Sequence, residues 1–323
     1  MNFKTIPKNG ASWREPLIYE VELAEDEQQV EVDIYDQIAQ RVIGRFRLYA
    51  NGPTEVDIAP YIRSAVARMG ALPDSTSAIT TSTDAFMIKL RANGMTTQQR
   101  LFFREDISNR SSQLLSSKVE GATIANGEIV RLTVYANEII TLTFLQPANA
   151  GGVKNYTFYT QGIPCEIAVP IRNVGIGENL VVRVRCDGGE SVVHNFKVVR
   201  REESACRLAW VNAYGGVECH TFPQSVRRHL TVKSEEVESE LGWYRRVVES
   251  RLLRRLLLHG AMQSEIDRVL GIFLSPVVYL CDGDEVQQVR LLTDGVTFDE
   301  HGKLRRLEFD IEEVWKGGVP QCA

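Results

Sequence analysis

Residues 206–222, CRLAWVNAYGGVECHTF, read as a β-hairpin, and that reading decides how the rest of the chain is parsed. Leu208, Trp210 and Phe222 supply apolar cover on the flanks. Gly215-Gly216 is a dipeptide able to take the positive φ values of a two-residue hairpin turn. The string Trp210, Asn212, Tyr214, Gly215, Gly216, closed by Phe222, is more specific than any other in the chain. It is a packing and turn signature, and these six residues form the candidate structural and interaction site.

Working from the hairpin toward the amino terminus, Arg200-Arg201-Glu202-Glu203 is a solvated exit from a series of six short strands. The strands are at 129–136, 138–146, 155–160, 164–170, 179–187 and 191–199, with turn signals at Asn126-Gly127, Ala150-Gly151-Gly152 and Asp187-Gly188-Gly189. Such spacing predicts an immunoglobulin-like β-sandwich over 118–203. Before it, period-two alternation places Leu17, Tyr19, Val21 and Leu23 on one face, then Val30, Val32 and Ile34, then Val42, Gly44, Phe46 and Leu48. A short helix is predicted at 58–70, with Pro60 in its first turn and Gly70 as its stop. Residues 71–84, rich in Ser and Thr, read as a loop, and strands at 85–92 and 98–104 surround Asn93-Gly94. The first 117 residues are thus a β-sandwich-like domain with one short helix.

On the carboxyl side the pattern changes. Ile266, Val269, Leu270, Phe273 and Leu274 recur at helical spacing, Ser264 and Asp267 suit a capping box, and Ser275-Pro276 ends the run, so 264–275 is a helix. Residues 243–259 suit either a helix face or a strand. Strands return at 277–281, 286–293 and 304–314, making 204–323 an α+β domain. The fold class is therefore mainly β: tandem immunoglobulin-like β-sandwich domains followed by a smaller α+β domain.

Composition bounds the function. The chain has 323 residues, 44% hydrophobic and 24% charged, with net charge −5, so it lacks the basic excess of a nucleic-acid binder. Its start does not read as a secretory leader and no apolar run is long enough to span a bilayer, so synthesis in the cytoplasm without membrane insertion is expected. Six cysteines, Cys165, Cys186, Cys206, Cys219, Cys281 and Cys322, contain no CxxC pair and read as free thiols.

Each candidate chemistry has a plainer reading. Cys219 and His220 are adjacent on a strand, point to opposite faces and cannot chelate one ion together; no zinc-ligand spacing brings in His229 or Cys206. His194, His259 and His301 stand alone. No Gly-x-Ser-x-Gly elbow and no cysteine at a helix start with a partner histidine occurs. Gly175-Ile-Gly177-Glu178 reads as a β-turn, not a phosphate loop, and Asp282-Gly283-Asp284-Glu285 as a hairpin tip, not a calcium loop. Glu235, Glu236, Glu238 and Glu240 read as a solvated linker. Trp13, Trp210, Tyr214, Trp243 and Tyr244 could form a sugar-stacking platform, though aromatics in a β protein more often anchor cores and interfaces.

The layout resembles uncharacterised structural proteins of Bacteroides-type prophages and phages. The resemblance rests on Trp13-Arg-Glu-Pro16, on the segment Asp57 to Arg63, on the hairpin from Trp210 to Phe222, and on the Leu-x-x-x-x-Ser-Pro-x-Val-Tyr run from Leu270 to Tyr279. It implies a non-enzymatic virion component associated with the tail or tail tip. It carries over no active site, and tandem sandwiches whose sheet edges must be covered lead us to expect an oligomer with other virion or tail proteins as partners; no cofactor, metal or catalytic residue is expected. From another functional class, a carbohydrate-binding or adhesin-like surface protein would be built from similar tandem sandwiches.

Overall fold

The computed structural model describes residues 2–24, 28–49, 52–66, 79–81, 85–107, 114–116, 122–136, 138–145, 152–160, 162–171, 174–187, 189, 192–201, 205–223, 225–239, 242–261, 263–282, 285–292 and 305–313. Gly70, Ala150-Gly151, Gly188, Glu202-Glu203, Glu240, Gly283-Asp284, His301 and Cys322, all named above, lie outside them. The protein is mainly β, as the alternation requires, and its described helices are the two that helical spacing picked out.

The amino-terminal strands are β1 (Asn2–Thr5), β2 (Ile18–Glu22), β3 (Gln29–Asp36), β4 (Arg41–Tyr49) and β5 (Thr54–Asp57). They are followed by α1 (Ala59–Val66), β6 (Ile79–Thr81), β7 (Phe86–Ala92), β8 (Met95–Thr96) and β9 (Arg100–Phe102). One sheet has the order β1-β2-β5; another runs β4-β3-β7-β8, with β9 also on β7. Leu17, Tyr19, Val21, Val30, Val32, Ile34 and Leu48 meet Ile58 and Ile62 in one core. Asp57 starts the helix, its Oδ1 accepting from the amides of Leu17 and Ala59 at 2.8 and 2.9 Å. Asn93 and Gly94 take φ values of 47° and 78°, so their two-residue turn joins β7 to β8.

Two expectations are corrected here. Val42 is exposed, because a bulge between the Ile34–Gly44 and Tyr35–Val42 pairs inserts Ile43, which packs on the core in its place. Residues 71–84 are not loop throughout. Ile79–Thr81 forms β6 and pairs with a strand of the middle unit, so the amino-terminal third contributes to the next sheet.

The middle unit is a sandwich of β10 (Ala122–Ala125), β11 (Ile129–Tyr135), β12 (Ile139–Leu145), β13 (Val153–Tyr159), β14 (Pro164–Pro170), β15 (Asn179–Cys186) and β16 (Val192–Val199). Its sheets, ordered β10-β16-β15-β12-β13 and β11-β14-β6, enclose a core that includes Leu132, Ile140, Leu142, Phe144, Ile167, Val182 and Phe196. The glycines of the expected phosphate-loop look-alike form a turn, with the Glu178 amide donating to Gly175 O at 3.2 Å.

The last unit comprises β17 (Cys206–Val211), β18 (Val217–Phe222), β19 (Ser225–Ser239), β20 (Gly242–Ala261), α2 (Gln263–Leu274), β21 (Val278–Asp282), β22 (Glu285–Leu291) and β23 (Arg305–Glu313). They form one seven-stranded antiparallel sheet, β18-β17-β21-β22-β23-β20-β19. The ambiguous stretch 243–259 is strand. Leu256 and Leu258 are buried on the face that Arg254 shares while Arg255 is exposed on the other, and pairing with β19 on one edge and β23 on the other overrides helical spacing. Glu235, Glu236 and Glu238 are not in a linker: they belong to β19, opposite Arg246, Arg245 and Trp243. Ser264 lies one residue inside α2, not at its cap. Asp282 pairs with Glu285, joining β21 to β22 as antiparallel neighbours.

Candidate functional site

The hairpin β17–β18 has the predicted pairing, Cys206 with Phe222 through Val211 with Val217, but its turn differs from the expected one. The Gly215 amide donates to Asn212 O at 3.1 Å, and the Asn212 amide donates to Gly216 O at 2.8 Å. The loop is thus Ala213-Tyr214-Gly215, a three-residue turn whose last residue carries the positive φ, 83°. Gly216 is glycine for another reason. A Cβ there would stand 2.8 Å from Leu115 O and 3.1 Å from the Thr133 side chain.

Asn212 organises this tip through every polar atom of its amide. Its Oδ1 accepts from the Tyr214 and Gly216 amides, both at 2.9 Å, while Nδ2 donates to Leu115 O at 2.8 Å and to Glu218 Oε1 at 2.7 Å. The segment 114–116 is held from its other side by β11: Leu115 N donates to Thr133 O, and Thr133 N to Ser116 Oγ. The Val217 amide donates to Thr133 Oγ1. The hairpin is therefore stitched to the middle sandwich through its own backbone, with a short strand-like segment between.

Farther along β18 the seam becomes charged. Glu128 Oε2 accepts from the Ala125 amide, from Thr221 Oγ1 and from Arg207 Nη1, at 2.7, 2.6 and 2.8 Å. Arg207 also donates to Ile129 O at 2.6 Å. These bonds satisfy a carboxylate and a guanidinium whose burial would otherwise cost several kcal/mol each. Behind them, Arg131 and Glu166 form a buried ion pair, and burial still pushes the Glu166 carboxyl above its ordinary range.

His220 sits at the centre of the seam, fully buried. Its Nε2 is 3.0 Å from Thr123 Oγ1, and Thr123 spends its own proton on Thr221 O at 2.5 Å, which assigns the N–H to Nε2. Burial, reinforced by Arg268 and Arg207, lowers the imidazole to about 3. Glu265 Oε1 lies 3.7 Å from Nε2 and does not outweigh burial and the two guanidiniums. A threonine beside a neutral histidine has the composition of a nucleophile and base. Both side chains are sealed within the seam, so the pair can position β10 against β18 but cannot meet a substrate.

On the face of the sheet that His220 and Glu218 share, Trp210 is fully buried among Ile266, Val269 and Ile272 of α2. Its Nε1 lies where a Cβ on Gly271 would come within 2.9 Å, so helix and strand approach over a glycine. Phe222 joins the same core, in edge contact with His220 and Phe309. Tyr214 is partly buried against the small core that includes Leu115 and Phe103. All six predicted residues thus lie in or beside one hairpin, with Asn212, Tyr214 and Gly216 toward the middle unit and Trp210 and Phe222 toward the helix. Residue patterning missed Glu128, Arg207, Glu218 and Thr123. Their signal was a polar residue inside an apolar strand run, which becomes informative only when its partner is known.

The candidate aromatics do not gather into a sugar platform, and two of them are core anchors. Trp13 and Trp210 are buried in different cores, whereas Trp243 is 69% exposed on β20. Among the described residues, no group of three His, Cys, Asp or Glu could hold a metal ion, and no helix is long and apolar enough to cross a membrane. Cys165, Cys186, Cys206, Cys219 and Cys281 are free thiols, and burial pushes those of Cys165 and Cys186 up to about 11.

No family model matches the chain, and no curated protein matches it. Among solved structures, trypsin-activated alpha-2-macroglobulin from Escherichia coli is similar at 8% identity and a TM-score of 0.22, over 95% of this chain and 23% of that one. This chain therefore spans about a quarter of that protein's length. Dpr2 Ig1-Ig2 in complex with DIP-Theta Ig1-Ig3 is similar at 7% identity and a TM-score of 0.17, over 97% of this chain and 90% of that chain. At such TM-scores neither likeness carries an argument.

Proposed function

We propose that this chain is a non-enzymatic assembly component of a phage- or prophage-encoded particle, associated with its tail or tail tip. In this reading it is made in the cytoplasm, enters the virion, and works by binding other virion proteins and copies of itself. The observation that carries the assembly part is the β19–β20 hairpin. Among the described residues, β23 pairs with β20 from Leu252 onward, so residues 242–251 pair with β19 alone, as a two-stranded ribbon. Ten residues at about 3.3 Å each give a reach of about 33 Å. An isolated ribbon of this kind has too little packing to be stable alone, and it gains stability when a partner covers it. Val232 and Trp243 are exposed along it and Leu230 at its base, which fits a surface made to be covered. The phage assignment itself rests on the sequence resemblance.

The reading is tested by co-expressing the full chain with the products of its neighbouring genes and isolating complexes by affinity capture and light scattering. Capture of capsid, connector or tail gene products is expected. A chain that stays monomeric and captures none of them overturns the reading.

A further inference from the structure

We infer that β19 is a self-docking edge: two copies of this chain pair their β19 strands antiparallel, centred on Val232, and join their seven-stranded sheets into one. This inference rests on the assembly reading above and specifies its geometry. β19 ends the sheet order among the described residues, opposite the edge formed by β18, which is buried against the middle sandwich. It is also long, 15 residues, where protected edge strands are usually short. An exposed edge of that length is a template for strand addition.

The charges select both the partner and the register. The first half of β19 carries Arg227, Arg228 and His229, and the second half carries Glu235, Glu236 and Glu238. A strand with its charge so divided is complementary to its own antiparallel copy. A twofold axis through the pair, perpendicular to the sheet, requires one residue to lie opposite itself. With Val232 on the axis, Arg228 comes opposite Glu236, His229 opposite Glu235 and Leu230 opposite Ser234. Centring on Lys233 would set two ammonium groups against each other, and centring on Thr231 would oppose Lys233 to His229. Only the Val232 register joins opposite charges at both ends and keeps an apolar pair in the middle. Residues 229–233, 235 and 236 are exposed, so the central positions are open to a second copy. Within the chain, Glu235 and Glu236 lie opposite Arg246 and Arg245, so each acid would sit between an arginine of its own β20 and a basic residue of the other copy.

Cysteine cross-linking and charge exchange on the full chain test this. Val232→Cys, at an exposed position, should form a disulfide-linked dimer under mild oxidation. Leu230→Cys, displaced by four residues from its own copy, should not, and wild type sets the background of native thiols. Arg228→Glu and Glu236→Arg should each weaken dimerisation about tenfold by opposing like charges, and the double variant should restore it. If the chain oligomerises but ignores both charge changes and gives no Val232→Cys cross-link, this pairing is overturned and the assembly reading stands. A chain that remains monomeric and also fails to bind virion proteins overturns both.

Discussion

Asn212 shows how much one short side chain can hold when it is buried with all its hydrogen-bonding capacity in use. Replacing it with Ala would leave Glu218, Leu115 O and two turn amides without their partner, and each buried unsatisfied group costs about 1–3 kcal/mol. Asn212→Ala is therefore expected to destabilise the fold by at least about 2 kcal/mol, read from urea titration. The two glycines beside it should separate by mechanism. Gly215→Asn keeps a residue tolerant of left-handed φ and should cost about 1 kcal/mol or less, whereas Gly216→Ala drives a methyl into a backbone carbonyl and should cost more. Equal losses for the pair would contradict this division of roles. His220 supplies a pH signature. Its native pKa lies below the unfolded value of 6.5, so its contribution is complete above pH 6.5 and is lost as pH falls toward 3, with a slope of up to about 1.4 kcal/mol per unit. His220→Gln should flatten stability against pH in that window, and an unchanged slope would argue against a neutral buried imidazole.

Between strand β17 and helix α2, packing rather than hydrogen bonding decides. Trp210→Ala removes a fully buried indole and is expected to cost roughly 3–5 kcal/mol. Gly271→Ala should also destabilise, because its new methyl meets Trp210 Nε1, yet alanine favours a helix by about 1 kcal/mol over glycine. Combining Gly271→Ala with Trp210→Phe vacates that space, so the double variant should be less unstable than the two single losses added. Thermal melts of all four proteins close the cycle, and simple additivity would mean that the glycine and the indole do not touch in solution.

Across the entire chain, the described helices are α1 and α2, of 8 and 12 residues, within a body otherwise built from sheets. Far-ultraviolet circular dichroism should therefore report helix well below the roughly one-third average of globular proteins. A spectrum above that level would sink the mainly β assignment. The three principal hydrophobic cores, centred on Ile62, Leu142 and Trp210, fall in order along the sequence. They are not insulated, because β6 crosses into the middle unit and the Asn212–Glu128 seam joins the middle unit to the last. Loss of the seam through Asn212→Ala should thus loosen the third unit first, visible as amide exchange rising in β17 and β18 before β12 or β15.

Local patterning was enough for the strand class, for α1 and α2, for the Asn93-Gly94 turn and for the hairpin at 206–222. Each depends on a period or a turn residue within a few positions, and neighbours along the chain supply that information. The Ile43 bulge, the strand β6 in a Ser/Thr-rich stretch and the extended form of 243–259 were decided by partners far away in sequence. A bulge is defined by two strands, a three-residue strand has almost no period of its own, and leucines at mixed spacing suit whichever neighbours bury them. The candidate site divides in the same way. Trp210, Asn212 and the glycines were visible because turns and aromatics are rare. Glu128, Thr123 and His220 gained a role only when tertiary contact removed water and left each polar atom needing one particular partner.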